Sequence, residues 1–386
     1  IGNFNLLSHG GQNLTMIEFI NDGLMTVFFL LVGLEIKCEL LVGELSSFRK
    51  AALPFIAACG GMLFPVLVYS FVCAPGAPGG QGLAIPMATD IAFSLGVLSL
   101  LGKRVPLSLK IFLTAFAVVD DIGGILVIAV FYSSHVAYGY LLVAILLLIL
   151  LYFVGKRAVT NKLFFLVIGV VIWYLFLQSG IHSTIAGVLL AFVIPAKPQL
   201  RVGRYIERIR RIINTFPVMG ENDIVLTNEQ IAQLKRVESA SDRVISPLQS
   251  LEDNLHGVVN YIILPLFAFV NAGVVFSGGG EVIGEVSIAV ALGLLCGKFL
   301  GIYFFTWLAV KSKLTPMPQG MDWKNIAGVA LLGGIGFTVS LFIANLSFGV
   351  THPVLLNQAK FGVLSGTALA GILGYIVLYL VLPKKR

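Results

Sequence analysis

The chain has 386 residues, 58% of them hydrophobic and 12% charged, with a formal net charge of +7. Soluble domains carry roughly 45–50% apolar and about 25% charged residues, so the composition excludes a water-soluble globular enzyme and predicts a polytopic membrane protein. The excess of positive charge is concentrated in loops, which fits membrane topology and anionic headgroups and excludes a nucleic-acid-binding surface.

A bilayer core about 30 Å thick takes about 20 helical residues per crossing. Residues 1–15 precede the first apolar run and carry a weak strand pattern, and they form an extracytoplasmic segment. Seven apolar runs follow within 16–196, at 16–34, 51–74, 83–101, 107–133, 135–154, 163–178 and 181–196. Residues 197–256 are a polar connector. Its stretch RYIERIRRII, 204–213, alternates basic and apolar residues as a membrane-surface helix or a solvated connector would. Further on, TNEQ at 227–230 fits a capping box that opens a short helix. Four more runs, at 257–277, 286–310, 326–348 and 357–382, complete an all-α chain of eleven transmembrane helices and a basic tail.

Of the 26 basic residues, 23 fall in the odd-numbered connections and the C-terminal tail, and none in the alternate connections. Basic loops face the cytoplasm, so the N-terminus is expected outside and the C-terminus inside. Cys38, Cys59, Cys73 and Cys296 have no metal or disulfide spacing, and no signal peptide precedes the first run.

Three lysines remain, and Lys298 in CGKFLG stands at the middle of its span. Asp120 and Asp121 in FAVVDDIGG are also central, and Asp90 in IPMATDIAFSLG lies close to the centre of its own span. Each such charge costs at least about 2.5 kcal/mol at mid-membrane. Four unpaired charges would match the stability of a whole domain. A structural ion pair accounts for Lys298 and one aspartate and leaves two carboxylates over, so an ion or proton path explains the set better. Neighbouring helical residues point about 100° apart, which predicts one of Asp120 and Asp121 turned toward Lys298 and the other toward Asp90.

Two spans are interrupted. Pro86 breaks the run that holds Thr89 and Asp90, and Gly333, Gly334 and Gly336 interrupt LLGGIGFTVS. Glycines alone permit close helix packing. Paired with a proline break in the other half of the chain, they predict discontinuous helices at a midplane site, whose carbonyls and helix ends would hold a cation.

In these residues and the stretches around them, the chain resembles the NhaA family of bacterial sodium/proton antiporters. The resemblance rests on MTVFFLLVGLEIK, IPMATDIAFSLGVLSLLGKRVPLSLKIFL, VVDDIGGILVIAVFY, YIILPLFAFVNAGV, CGKFLGI and GGIGFTVSLFIANLSFG, in that order. It implies a twelve-helix fold of inverted repeats with one helix upstream of this chain, and two unwound helices crossing at the midplane. The implied activity is electrogenic export of Na+ or Li+ against inward H+ by alternating access in the bacterial inner membrane, by a homodimer without a cofactor. The resemblance also implies Asp121 as the main cation and proton carboxylate, Asp120 as a second one paired with Lys298, and Thr89 and Asp90 lining the site. Glu35 and Glu252 correspond to residues of the pH response. Cys38 beside Glu35, and Asp253 in LEDNLHG, depart from the family pattern at that end of the molecule. Rival readings are a symporter or channel of related architecture, or an intramembrane aspartyl enzyme; against the enzyme, the GxGD and DDxxD patterns are absent and a central lysine suits neither.

Overall fold

The computed structural model describes residues 5–9, 12–15, 19–74, 76–132, 136–157, 161–198, 200, 202–216, 227–275, 282–318, 320–349 and 351–383. Lys384, Lys385 and Arg386 of the basic tail lie outside the described residues, as does the stretch 217–226 of the connector. The chain opens with an antiparallel hairpin, β1 (Asn5–His9) and β2 (Gln12–Thr15), whose register pairs Leu7 with Leu14 and His9 with Gln12. Among the described residues, the elements that follow it are helices.

In chain order the helices are α1 (Met25–Leu41), entered through a π-helical turn at Phe19–Leu24, α2 (Phe48–Val72), α3 (Ile91–Ser99), α4 (Leu107–Phe131), α5 (Tyr138–Lys156), α6 (Lys162–Ser179) and α7 (Thr184–Val193). The connector supplies α8 (Val202–Asn214) and α9 (Asn228–Val244). Then come α10 (Pro247–Val258), running through a wide turn into α11 (Leu264–Asn271), α12 (Glu285–Leu292), running likewise into α13 (Lys298–Lys311), α14 (Trp323–Leu332), α15 (Phe337–Phe348) and α16 (Pro353–Val381). Among the described residues, seven of these elements are long and apolar enough to cross a membrane, counting α10–α11 and α12–α13 as one each, and two bent pairs raise the number to nine. The remaining two expected spans are met by shorter helices, α1 of 17 residues and α7 of 10. At 1.5 Å per residue, α7 covers about 15 Å, half a bilayer core. The flanking residues of its apolar run are not helical.

Both expected interruptions are present. Pro86 lies in a tight turn at Ile85–Met87, Ala88 and Asp90 are extended, and the chain bends by 46° into α3. α14 ends at the glycines, and α15 resumes after a 44° bend.

Small residues let the other helices approach closely. A Cβ on Gly301 of α13 would lie 2.1 Å from the Gly60 carbonyl of α2, and one on Gly297 would lie 2.6 Å from Cα of Pro65. Backbone contact of this kind replaces the hydrophobic drive that lipid cannot supply between helices. It fixes the rotation of α13 and turns Lys298 wholly inward. In the same way Gly187 of α7 sits against the Thr26 carbonyl of α1, while the Lys37 ammonium caps α7 by donating to the carbonyls of Phe192, at 2.7 Å, and Ile194. Large apolar side chains such as Phe71 and Tyr261 face outward, as a lipid-facing surface requires.

Candidate ion site at the helix crossing

The extended residues 88–90 pass across the break between α14 and α15, and polar bonds join the two breaks. The Asp90 amide donates to the Ile335 carbonyl at 2.6 Å, Thr89 Oγ1 to the Gly333 carbonyl at 2.8 Å, and Ser94 Oγ to the Leu332 carbonyl at 3.0 Å. From the other side, Ser340 Oγ donates to the Ile85 carbonyl at 2.7 Å. Carbonyls freed by the breaks are thus satisfied without water, which a bilayer interior demands.

Asp90 serves both half-helices. Its Oδ1 accepts the Phe93 amide at 3.2 Å, capping α3. Its Oδ2 accepts the Thr338 amide at 3.0 Å and the Thr338 hydroxyl at 2.5 Å, in the first turn of α15. One carboxylate therefore lies against two helix N-termini, where the partial positive charges favour an anion. Among the described residues no hydrogen bond joins Asp90 to Asp121. The α4 carboxylate expected to turn toward Asp90 is Asp121, which shares a cavity with it, while the hydroxyl and amide of Thr338 take up the Asp90 lone pairs.

Asp120 meets Lys298 as expected. Lys298 Nζ donates to Asp120 Oδ2 at 2.5 Å and to Thr89 Oγ1 at 2.9 Å, and lies 5.7 Å from the centre of the Phe116 ring. Thr89 thus relays between the ammonium and the Gly333 carbonyl. Asp120 Oδ1 is buried with no hydrogen-bond partner among the described residues, an orphan acceptor beside the aspartate next in sequence.

Asp121, one residue on, points elsewhere. It lines a cavity of about 990 Å³ together with Thr89, Asp90 and Thr114, and the same cavity is walled farther out by Glu35, Cys38, Glu252 and His256. His256 Nε2 lies 3.4 Å from Glu35 Oε1. A second cavity, of about 670 Å³, contains none of these charged groups. At its wall the Tyr132 hydroxyl lies 2.8 Å from Ser347 Oγ and donates to the Gln81 carbonyl at 3.0 Å.

The structure therefore gathers Thr89, Asp90, Asp120, Lys298, Pro86, Gly333, Gly334 and Gly336 at one crossing, sets Asp121 beside it, and places Glu35 and Glu252 along the cavity that leads there. Sequence reasoning missed Thr338, Ser340 and Ser94, and their only signal was hydroxyls placed immediately after a chain break. Among the described residues no three His, Cys, Asp or Glu side chains converge on a fixed metal centre.

Two broken spans crossing around buried carboxylates, with a cavity that reaches Asp90 and Asp121, define the class of an ion-coupled secondary transporter. The chain belongs to the Na+/H+ antiporter 1 family, whose profile matches residues 3–378. It is 85% identical over its full length to the Na(+)/H(+) antiporter NhaA of Bacteroides fragilis, covering 88% of that protein. The corresponding protein of Bacteroides thetaiotaomicron is 82% identical with the same coverage, and that of Phocaeicola vulgatus is 63% identical over the whole chain and 86% of the relative. As a member of an antiporter family the chain is a transporter and not an enzyme.

Proposed function

We propose that this chain exchanges Na+ or Li+ for H+ across a bacterial inner membrane, with its C-terminus in the cytoplasm, and that Asp121 and Asp120 hold the exchanged ions. The observation that carries this reading is the contrast between adjacent carboxylates, with Asp121 on the cavity and Asp120 Oδ1 buried without a partner among the described residues. A dehydrated cation needs oxygen ligands, and a cavity-facing carboxylate beside an unsatisfied acceptor offers them. Protons and the cation compete for the same oxygens.

A cation bridging both aspartates displaces the Lys298 ammonium from Asp120. An ammonium stripped of its partner in a dry site is costly, so Lys298 releases its proton as Asp121 releases another. Two protons then exchange for one monovalent cation, which makes transport electrogenic. The two cavities support alternating access. The charged one gives the present route to Asp121, and the second marks where the opposite route opens when the Tyr132 bonds to Ser347 and Gln81 break. The β1–β2 hairpin supports pairing with a second copy, since an isolated two-stranded ribbon is only marginally stable in water.

In everted vesicles from cells lacking other antiporters, adding Na+ to a preformed proton gradient should dissipate it with the parent chain and fail to do so with Asp121→Asn, by a factor of at least about 100. Exchange by Asp121→Asn at the parent rate would remove Asp121 from the transport step.

A further inference from the structure

The connector helix α8 has an apolar face only partly covered by the rest of the molecule. At 100° per residue, Tyr205, Ile209 and Ile212 share one arc. This arc turns toward α9: the Tyr205 hydroxyl lies 2.7 Å from Ser241 Oγ, and Ile212 is buried. The adjoining arc, within about 40°, carries Val202, Ile206 and Ile213, and these remain 59%, 52% and 65% exposed. Arg210 borders that strip. Arg204, Arg208 and Arg211 lie farther round the helix, and with Glu207 the helix carries a net charge of +3. An exposed aliphatic strip and an excess of arginine on one short helix fit an apolar layer beneath anionic groups.

The location agrees. α7 ends at Val193, and the chain is then tied back to the membrane end of the next span by a bond from the Leu248 amide to the Pro195 carbonyl at 3.3 Å. The Leu200 amide donates to the Arg243 carbonyl at 2.8 Å, four residues before α10 begins the next crossing at Pro247. Both ends of the α8–α9 pair are therefore held where spans leave the membrane.

We propose that α8 lies in the plane of the interface, with Val202, Ile206 and Ile213 inserted among lipid chains and its arginines attracting anionic headgroups. The occupant of the exposed strip is thus the anionic lipid surface itself. Charges on the far side of a helix about 10 Å across still act within a screening length of about 8–10 Å. Arg210, beside the inserted strip, acts most directly.

The test uses the full chain with Ile206→Trp, reconstituted in phosphatidylcholine vesicles with or without phosphatidylglycerol, the acyl chains being brominated in parallel samples. The signal is the difference from the parent, which has its own Trp173, Trp307 and Trp323. With phosphatidylglycerol the added indole should be blue-shifted and quenched at least about twofold by brominated chains. Arg210→Gln should weaken that partition roughly fivefold, the effect of one basic residue at an anionic surface. Ile213→Trp provides the same readout should Ile206→Trp fail to fold. The proposal is overturned if the added indole stays accessible to acrylamide in anionic vesicles. It is overturned equally if protection depends on protein concentration in lipid-free detergent, which would make the strip a contact between copies.

Discussion

Lys298 and Asp120 form a fully buried ion pair, and the consequences of breaking it differ with the way it is broken. Removing the ammonium alone leaves a buried carboxylate with one orphan oxygen already present, and loss of one partner of a buried pair costs about 3–5 kcal/mol. Lys298→Ala should therefore lower the thermal unfolding temperature in detergent sharply, whereas Lys298→Ala with Asp120→Asn, which removes both charges, should recover most of the loss while remaining defective in exchange. Equal unfolding temperatures for the single variant and the parent would show that the pair holds nothing together. The four charged residues were legible in the sequence because ionised groups in mid-span are too costly to be incidental. Thr338, Ser340 and Ser94 were not. Hydroxyls in membrane helices routinely bond back to their own helix, as Ser70 does to Val66 and Ser365 to Phe361, and nothing in the local sequence distinguishes one that reaches another element.

Each half-helix of the crossing ends against a partner that tolerates no added volume. A Cβ on Gly336 would lie 2.3 Å from Ser340 Oγ and 2.8 Å from the Ala88 carbonyl. The hydroxyl can rotate only by giving up its bond to the Ile85 carbonyl, and the Ala88 carbonyl belongs to the extended backbone beside Thr89. Overpacking of this kind costs about 1–3 kcal/mol. Gly336→Ala should therefore reduce turnover by about tenfold or more, through displacement of Thr89 and Asp90. Gly257→Ala, on an exposed turn of α10 with open space around it, should leave turnover unchanged and raise stability slightly, since alanine favours a helix. Initial rates of sodium-driven proton flux, corrected for the amount of reconstituted protein, compare the two. The breaks themselves were readable, because proline and clustered glycine in an apolar run have few other uses. The short length of α7 was not. Hydropathy extends over 181–196 whether or not the flanking residues are helical, and the Lys37 ammonium that stops the helix comes from α1, over 150 positions earlier in sequence.

On the scale of the whole molecule, Asp90, Asp121, Glu35 and Glu252 line one cavity, and the proposed exchange has ions and protons reach Asp121 through it. The charge bias of the loops had indicated which connections share a face, but which cavity meets the carboxylates depends on the packing of α1, α3, α4 and α10, which no single span encodes. If Na+ and H+ occupy the same oxygens, the sodium concentration for half-maximal exchange must rise as pH falls. Linkage sets the slope at roughly tenfold per pH unit where one proton competes and roughly a hundredfold where two do. The two-proton release proposed for Asp121 and Lys298 predicts the steeper limb on the acid side, together with an inside-negative or inside-positive voltage that changes the rate according to its sign. Proteoliposome flux measured over several pH values, with the membrane potential clamped by potassium and valinomycin, reads both quantities. A half-saturating sodium concentration independent of pH would show that proton and cation sites are separate, and the shared-oxygen mechanism would then be wrong even with every distance at the crossing unchanged.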